Sequence, residues 1–354
     1  MTITRENFGA VGGREVHRYT LTNRAGLTAR FISYGATLTE LHTPDRQGRM
    51  GDIVLGFDKL EGYLATDTYF GATCGRYGNR ITKGRFALDG KPYQLSLNEP
   101  PNHLHGGLKG YDKVVWNGAI EGDGKTLTFT HRSPDGDEGY PGNLDIRTSF
   151  QLTDANELSI DMSAKTDKPT LANLVHHSYF NLGGHGSGNV LKQELKVHSD
   201  FYTPIDGELM TTGEILSVKG TAYDFTSFKA IGRDIGKIEN FGGGRVSEAG
   251  GGYDHNLVLA GVQGQMRLVV EARDPASGRA FDLETTEPGV QFYTGGYLSE
   301  AVVGKGGTKY CKYGGFTLET QKYPDSPNFP FFPQARLDPG QTYHHRMKFR
   351  FHTV

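Results

Sequence analysis

Runs in which apolar and polar side chains alternate strictly recur from end to end of this chain, and that pattern limits its folding more than any other feature. Leu158, Ile160, Met162 and Ala164 alternate with Ser159, Asp161 and Ser163. Leu127 and Phe129 alternate with Thr126, Thr128 and Thr130, and Tyr343, His345, Met347, Phe349 and Phe351 with His344, Arg346, Lys348 and Arg350. Successive side chains of a strand point to opposite faces, so each run predicts a strand with one buried face. Turn chemistry lies between the runs, at Asp89-Gly90, Asp123-Gly124, Asp135-Gly136, Asp206-Gly207 and Pro339-Gly340, at spacings that suit antiparallel hairpins and not parallel crossovers. Glycine supplies 50 of the 354 residues, about twice its usual ~7% share and without a collagen period, which fits many tight turns. The best helical stretch, 58–69, is interrupted by Gly62 and predicts a short helix at most. The expected fold is therefore all-β, a large antiparallel β-sandwich. No Pro- or Ser-rich linker divides the chain, so residues 1–354 are expected to form a single domain, with the Gly-rich stretch 242–252 as a long loop inside it.

Charge points away from whole classes of partner. Lys and Arg total 38 against 40 Asp and Glu, a net of −2 with no long run of either sign, so neither nucleic acid nor an anionic membrane is expected to bind. Cys74 and Cys311 are too few for a disulfide framework. The N-terminal residues lack the apolar core of a signal peptide, and no run approaches the ~18 apolar residues of a membrane helix, so a cytoplasmic protein is expected. Gly124-Lys125-Thr126 resembles the end of a phosphate-binding loop, but that motif needs glycine where Ala119 stands. Gly242-Gly243-Gly244 does not lie between a strand and a helix, as a dinucleotide site requires. His103 and His105 form an H-x-H pair of the kind seen in cupin metal sites, yet Gly106, Gly107, Leu108, Lys109 and Gly110 follow where that pattern needs a glutamate. Two ligands fall short of the three or more a metal requires. No metal and no cofactor is expected, and His344, His345 and His352 read as structural members of a strand.

Three polar segments carry more than a plain core requires. The first joins Asn79-Arg80 with Asn102-His103-Leu104-His105-Gly106-Gly107. The second is the run 173–182, in which an extended backbone sends His176 and His177 to opposite faces, so that only one enters a given site. The third is Phe316-Thr317-Leu318-Glu319-Thr320-Gln321, with Phe316 and Leu318 facing one side and Thr317, Glu319 and Gln321 the other. An acid beside amide and hydroxyl side chains suits hydrogen bonding to a polyol.

In this order the three segments resemble the aldose 1-epimerase (galactose mutarotase) family. Gly75-Arg76-Tyr77-Gly78-Asn79-Arg80-Ile81 is similar to its GRxxNRI element, and Asn102-His103-Leu104-His105-Gly106-Gly107 with Asp112-Lys113 and Trp116 to its N-x-LHGG…DKxxW element. Further likenesses run along nearly the whole chain: the stretch 135–142, His-Ser-Tyr-Phe-Asn-Leu at 177–182, Gly252-Tyr253-Asp254-His255-Asn256, Gln291-Phe292-Tyr293-Thr294-Gly295, and Leu318-Glu319-Thr320-Gln321 with Pro324-Asp325-Ser326-Pro327-Asn328. The resemblance implies one large antiparallel β-sandwich that interconverts the α and β anomers of aldohexoses such as galactose and glucose, without a cofactor. It implies Glu319 as the base on the anomeric hydroxyl and His177 as the acid on the ring oxygen. His105 becomes a second donor at the reacting end, and Asn79, Arg80, Ser178, Tyr179, Asp254 and Gln291 become sugar-binding residues. His177 is preferred to His176 because it opens the 177–182 run. At their reference values, ~4.3 for glutamate and ~6.5 for histidine, the first is an ionised acceptor and the second a ready donor near neutrality.

Other readings make different demands. A hexose-phosphate epimerase of the same superfamily needs a cationic pocket, and a lyase or glycosidase would use Asp254 and Glu319 as a carboxylate pair. A noncatalytic sugar-binding protein has no use for Glu319 and His177 together. The expected partner is a free aldohexose, and either a monomer or a homodimer is compatible with the exposed sheet edges.

Overall fold

The computed structural model describes residues 1–238 and 250–354; Gly242-Gly243-Gly244 and most of the 242–252 stretch lie outside them. Three antiparallel sheets dominate. The nine-stranded sheet has Leu144–Leu152, Glu157–Thr166, Tyr343–Thr353 and Arg279–Thr285 at its centre. The six-stranded sheet runs Tyr179–Phe180, Phe316–Gln321, Gly289–Tyr293, Asp254–Val258, Phe201–Thr203, Leu216–Ser217, and a five-stranded meander occupies 2–52. The expected alternation is present: Leu158, Ile160, Met162 and Ala164 are buried with half-buried Ser159, Asp161 and Ser163 between them, and Tyr343 to Phe351 alternate in the same way.

One core gathers the inner faces of all three sheets, which makes the architecture a sandwich. Phe180 of the six-stranded sheet meets Phe349 of the nine-stranded sheet at 5.2 Å between ring centroids, and Phe31 of the meander meets Phe150 at 4.2 Å. The only α-helix among the described residues is Leu60–Leu64, one short turn inside the 58–69 stretch. No helix among them is long and apolar enough to cross a membrane.

Asp89-Gly90 joins two paired strands with both residues at positive φ, +51° and +76°, the turn whose twist matches a hairpin. Asp123-Gly124 also closes a hairpin, with Asp123 Oδ1 accepting the Lys125 and Thr126 N–H groups, so the Gly-Lys-Thr triplet is a turn and no phosphate cradle. Pro339-Gly340 differs from expectation. The strand before it, Arg336–Leu337, pairs with Thr170–Leu171, so the turn redirects the chain between sheets. Cys74 is buried and Cys311 half-buried, and neither forms a disulfide.

Candidate functional site

The site is built on the face of the six-stranded sheet turned away from the core. In the strand Phe316–Gln321, second in that sheet, every residue is buried, so both faces are covered. Phe316 and Leu318 enter the apolar core. On the opposite face the register sets Asp254 beside Tyr293, Asn256 beside Gln291, Gln291 beside Glu319, and Tyr293 beside Thr317. Cross-strand neighbours share a face, so polar side chains from three strands converge there.

Above them opens a cavity of about 370 Å³ lined by Asn79, Arg80, His105, His177, Tyr179, Asp254 and Glu319, with Tyr69, Glu99, Tyr293 and Tyr297 among its walls. That volume suits a small polar ligand. Glu319 is 2% exposed. Its Oε1 accepts the Thr317 hydroxyl at 2.9 Å and lies 3.4 Å from His177 Nε2, while Oε2 is buried without a partner. An orphaned buried carboxylate oxygen is costly, and here it belongs to a cavity-lining residue.

Burial reverses the simple protonation picture drawn from reference values. It pushes the Glu319 carboxyl up to about 8, with the Asp254 charge adding to the rise and the Thr317 hydrogen bond and Arg80 opposing it. It pulls His177 down to about 4. Between those limits the pair carries one proton, held on the carboxyl by burial, while the 3.4 Å contact favours passing it to the imidazole.

His177 owes its position to the turn before Thr73. Its N–H donates to the Ala72 carbonyl (2.9 Å), and its own carbonyl accepts the Gly71 N–H (3.0 Å). Tyr69, at φ +57°, lays its ring against both His177 (5.6 Å) and His105 (4.8 Å). A bulky residue in the left-handed region is uncommon and tends to mark functional sites.

His105 sits at φ +49° and faces Asn79 at φ +66°. The two lock reciprocally: His105 N–H donates to the Asn79 carbonyl, and Asn79 N–H donates to His105 Nδ1, each at 3.1 Å. Gly106 must be glycine, because a Cβ there would overlap the Gly75 carbonyl. Behind the loop, Glu138 accepts the Leu108 and Lys109 N–H groups at 2.9 and 3.0 Å. Burial, His177 and Arg80 all lower the His105 pKa. The ring is therefore neutral, and the N–H aimed at Nδ1 leaves its hydrogen on Nε2.

His105, His177 and Glu319 bring ligand atoms within 4.8 Å of one another, a spacing that a metal ion could span. Coordination through His105 Nε2 requires the ring hydrogen on Nδ1 and an acceptor facing it. Asn79 presents a donor instead, so the trio fits a set of proton donors and acceptors better than a metal site. His103 takes no part: its Nδ1 pairs with the Ser96 carbonyl and its Nε2 with the Tyr140 hydroxyl, both at 2.7 Å. His345 is likewise tied to Thr320 (2.7 Å) and the Leu174 carbonyl (3.0 Å).

At the other end, Arg80 donates through Nε and Nη2 to both oxygens of Glu99 (2.6 and 2.9 Å), and its Nη1 lies 3.8 Å from Asp254 Oδ2. Asp254 Oδ1 accepts the Gln291 amide at 2.7 Å.

Two residues expected as sugar contacts stand elsewhere. Ser178 faces the opposite way, is 1% exposed and pairs with His176 Nε2 at 2.7 Å; strand alternation puts it with His176, not with His177 and Tyr179. Gln291 lies beneath Asp254 and outside the cavity wall, where it orients that carboxylate. Tyr69, Glu99, Tyr293 and Tyr297 were not expected. Tyr293 was accessible to sequence reasoning, since it lies two residues beyond Gln291 and shares its face.

Comparison with known proteins bears on the family. The family model described as Aldose 1-epimerase matches residues 17–350. The galactose mutarotase of Bos taurus is 43% identical over 353 residues, 99% of each chain. That of Homo sapiens is 42% identical over 99% of this chain and 98% of its own. The solved structure of galactose 1-epimerase from Lactobacillus acidophilus superposes with a TM-score of 0.86 at 26% identity, covering 100% of this chain and 99% of that one. Matched along nearly its whole length, the chain belongs to the aldose 1-epimerase family.

Proposed function

We propose that Glu319, His177 and His105 are the groups with which this aldose 1-epimerase interconverts the α and β anomers of free aldohexoses such as galactose and glucose. The reading rests on one observation above the others, the unpartnered Oε2 of buried Glu319 beside His177 in a sugar-sized cavity. In the reactive tautomer the single proton of the pair is on His177. Glu319 then removes the proton from the C1 hydroxyl, the O1 electron pair forms the carbonyl, the bond from C1 to the ring oxygen breaks, and the ring oxygen takes the proton of His177. Rotation about C1–C2 offers the other carbonyl face. Reclosure returns one proton to His177 and one from Glu319 to O1, so the enzyme ends as it began.

Such acid–base assistance is worth roughly 10²–10⁴-fold per group. His105 donates Nε2–H to the ring oxygen or to O1 and stays neutral throughout. Asn79, Arg80, Asp254 and Tyr179 hold the remaining hydroxyls and the apolar face, with Gln291 setting the Asp254 carboxylate. We further propose that the whole chain, 1–354, works as one domain, in the cytoplasm, as a monomer or homodimer.

The test is the relaxation of optical rotation in freshly dissolved α-D-galactose and α-D-glucose. Wild type is expected to relax it well above the buffer rate, and Glu319→Gln and His177→Asn to fall close to buffer. A wild-type rate equal to buffer would overturn the reading.

A further inference from the structure

The acidic groups around the cavity outnumber the basic ones. Asp67, Glu99, Asp254 and Glu319 line it, against Arg80 as the one cation among the described lining residues. A guanidinium facing a sugar pocket would normally be the natural seat of a sugar carboxylate or phosphate, because its planar fork matches such groups bidentately. Here the fork is filled. Glu99 takes Nε and Nη2 at 2.6 and 2.9 Å, and the remaining arm points to Asp254 at 3.8 Å. Arg80 is 7% exposed, so little of its guanidinium is left for a second anion. The adjoining cavity of about 300 Å³, which shares Glu99 and Tyr297 with the first, adds a further carboxylate, Glu208.

We propose that Glu99 determines the charge class of the substrate: by closing the Arg80 fork it confines the site to uncharged aldoses and turns away those bearing a carboxylate or phosphate. This rests on the aldose 1-epimerase reading of the cavity and extends it to a residue that touches no reacting atom. Glu99 acts on two levels. It occupies the Nε and Nη2 edge of Arg80, leaving Nη1 for a hydroxyl, and it places its own charge where an anionic substituent would have to lie. Discrimination built by repulsion in this way leaves neutral sugars free to use the hydroxyl-binding groups.

The experiment compares kcat/KM for mutarotation of D-galactose, D-galacturonate and the uncharged methyl ester of D-galacturonic acid at neutral pH, in wild type and Glu99→Gln. Wild type is expected to favour galactose over galacturonate by about a hundredfold while accepting the ester within about tenfold of galactose. Glu99→Gln is expected to raise the ratio of galacturonate to galactose by at least about tenfold, an advantage that shrinks as salt is added. A merely structural role for Glu99 would lower both rates and leave their ratio alone. The proposal is overturned if wild type turns over galacturonate as well as galactose, or if the ratio is unchanged in a variant still active on galactose. Should Glu99→Gln not fold, Glu99→Asp carries the same ratio with the charge kept but drawn back from the Arg80 fork and is expected to shift it in the same direction. Rejection of the ester by wild type as strong as that of the acid would overturn the proposal by assigning the exclusion to size. Failure of wild type on galactose itself would strike the underlying reading instead.

Discussion

Replacing Glu319 with glutamine is expected to stabilise the fold by an amount that grows with pH. The glutamate carboxyl moves from its ordinary 4.5 to about 8 in the folded protein, chiefly through burial. Across that window the native state keeps a proton that the unfolded chain has released. Stability contributed by this group is therefore complete below about 4.5 and is lost as pH rises to about 8. Each pH step removes about 1.4 kcal/mol, and the whole window roughly 4–5 kcal/mol. Glutamine does not titrate, and its Oε1 can still accept the Thr317 hydroxyl that now donates to the carboxylate. Urea unfolding of both proteins from about pH 5 to 9 reads the difference directly. The Gln variant is expected to gain little near pH 5, several kcal/mol near pH 8, and nothing further above that. A difference constant to within about 0.5 kcal/mol over the range would refute the assignment of a raised carboxyl to Glu319.

The same two groups govern the rate. With His177 held near 4 and Glu319 near 8, the one-proton form of the pair exists between those values, so kcat/KM is expected to trace a bell, falling on the acid side as His177 and Glu319 both carry protons and on the alkaline side as both lose them. Stopped polarimetry across the range checks it, and activity flat to about pH 10 would count against a shared proton. Ser178→Ala is expected to lower stability by roughly 1–3 kcal/mol, because it strands His176 Nε2 in the core, and to leave KM for galactose unchanged. A several-fold rise in KM at full stability would return Ser178 to the sugar site.

Period-two patterning was enough to read strands such as Glu157–Thr166 and Tyr343–Thr353, because each has one buried face and the pattern records it. The strand Phe316–Gln321 is buried on both sides, yet Thr317, Glu319 and Gln321 fall on the face opposite Phe316 and Leu318, so the orientation of Glu319 was legible as well. The same logic, carried one strand further, separates Ser178 from Tyr179. Tyr69 and Glu99 were out of reach. Tyr69 approaches two histidines with a backbone that turns left-handed, and Glu99 meets Arg80 from 19 positions further along the chain, so no local period or motif announces either. Protonation was the other illegible quantity: reference values made Glu319 an ionised base, whereas its near-complete enclosure holds a proton on it.

The doubly covered strand Phe316–Gln321 has a bearing on how such a protein can be altered. Leu318 and Thr320 are packed into the interior on the reverse side of the backbone that carries Glu319, with Thr320 bonded to His345 across the sandwich. A change of volume at either position shifts the carboxylate by whatever the backbone yields, and a dense interior yields by moving its neighbours. Variation on this strand would be felt at once in folding and in chemistry. Arg80 and Glu99, joined to the cavity from outside the six-stranded sheet, leave room for a lineage to drift toward new sugars while the reacting centre stays where it is.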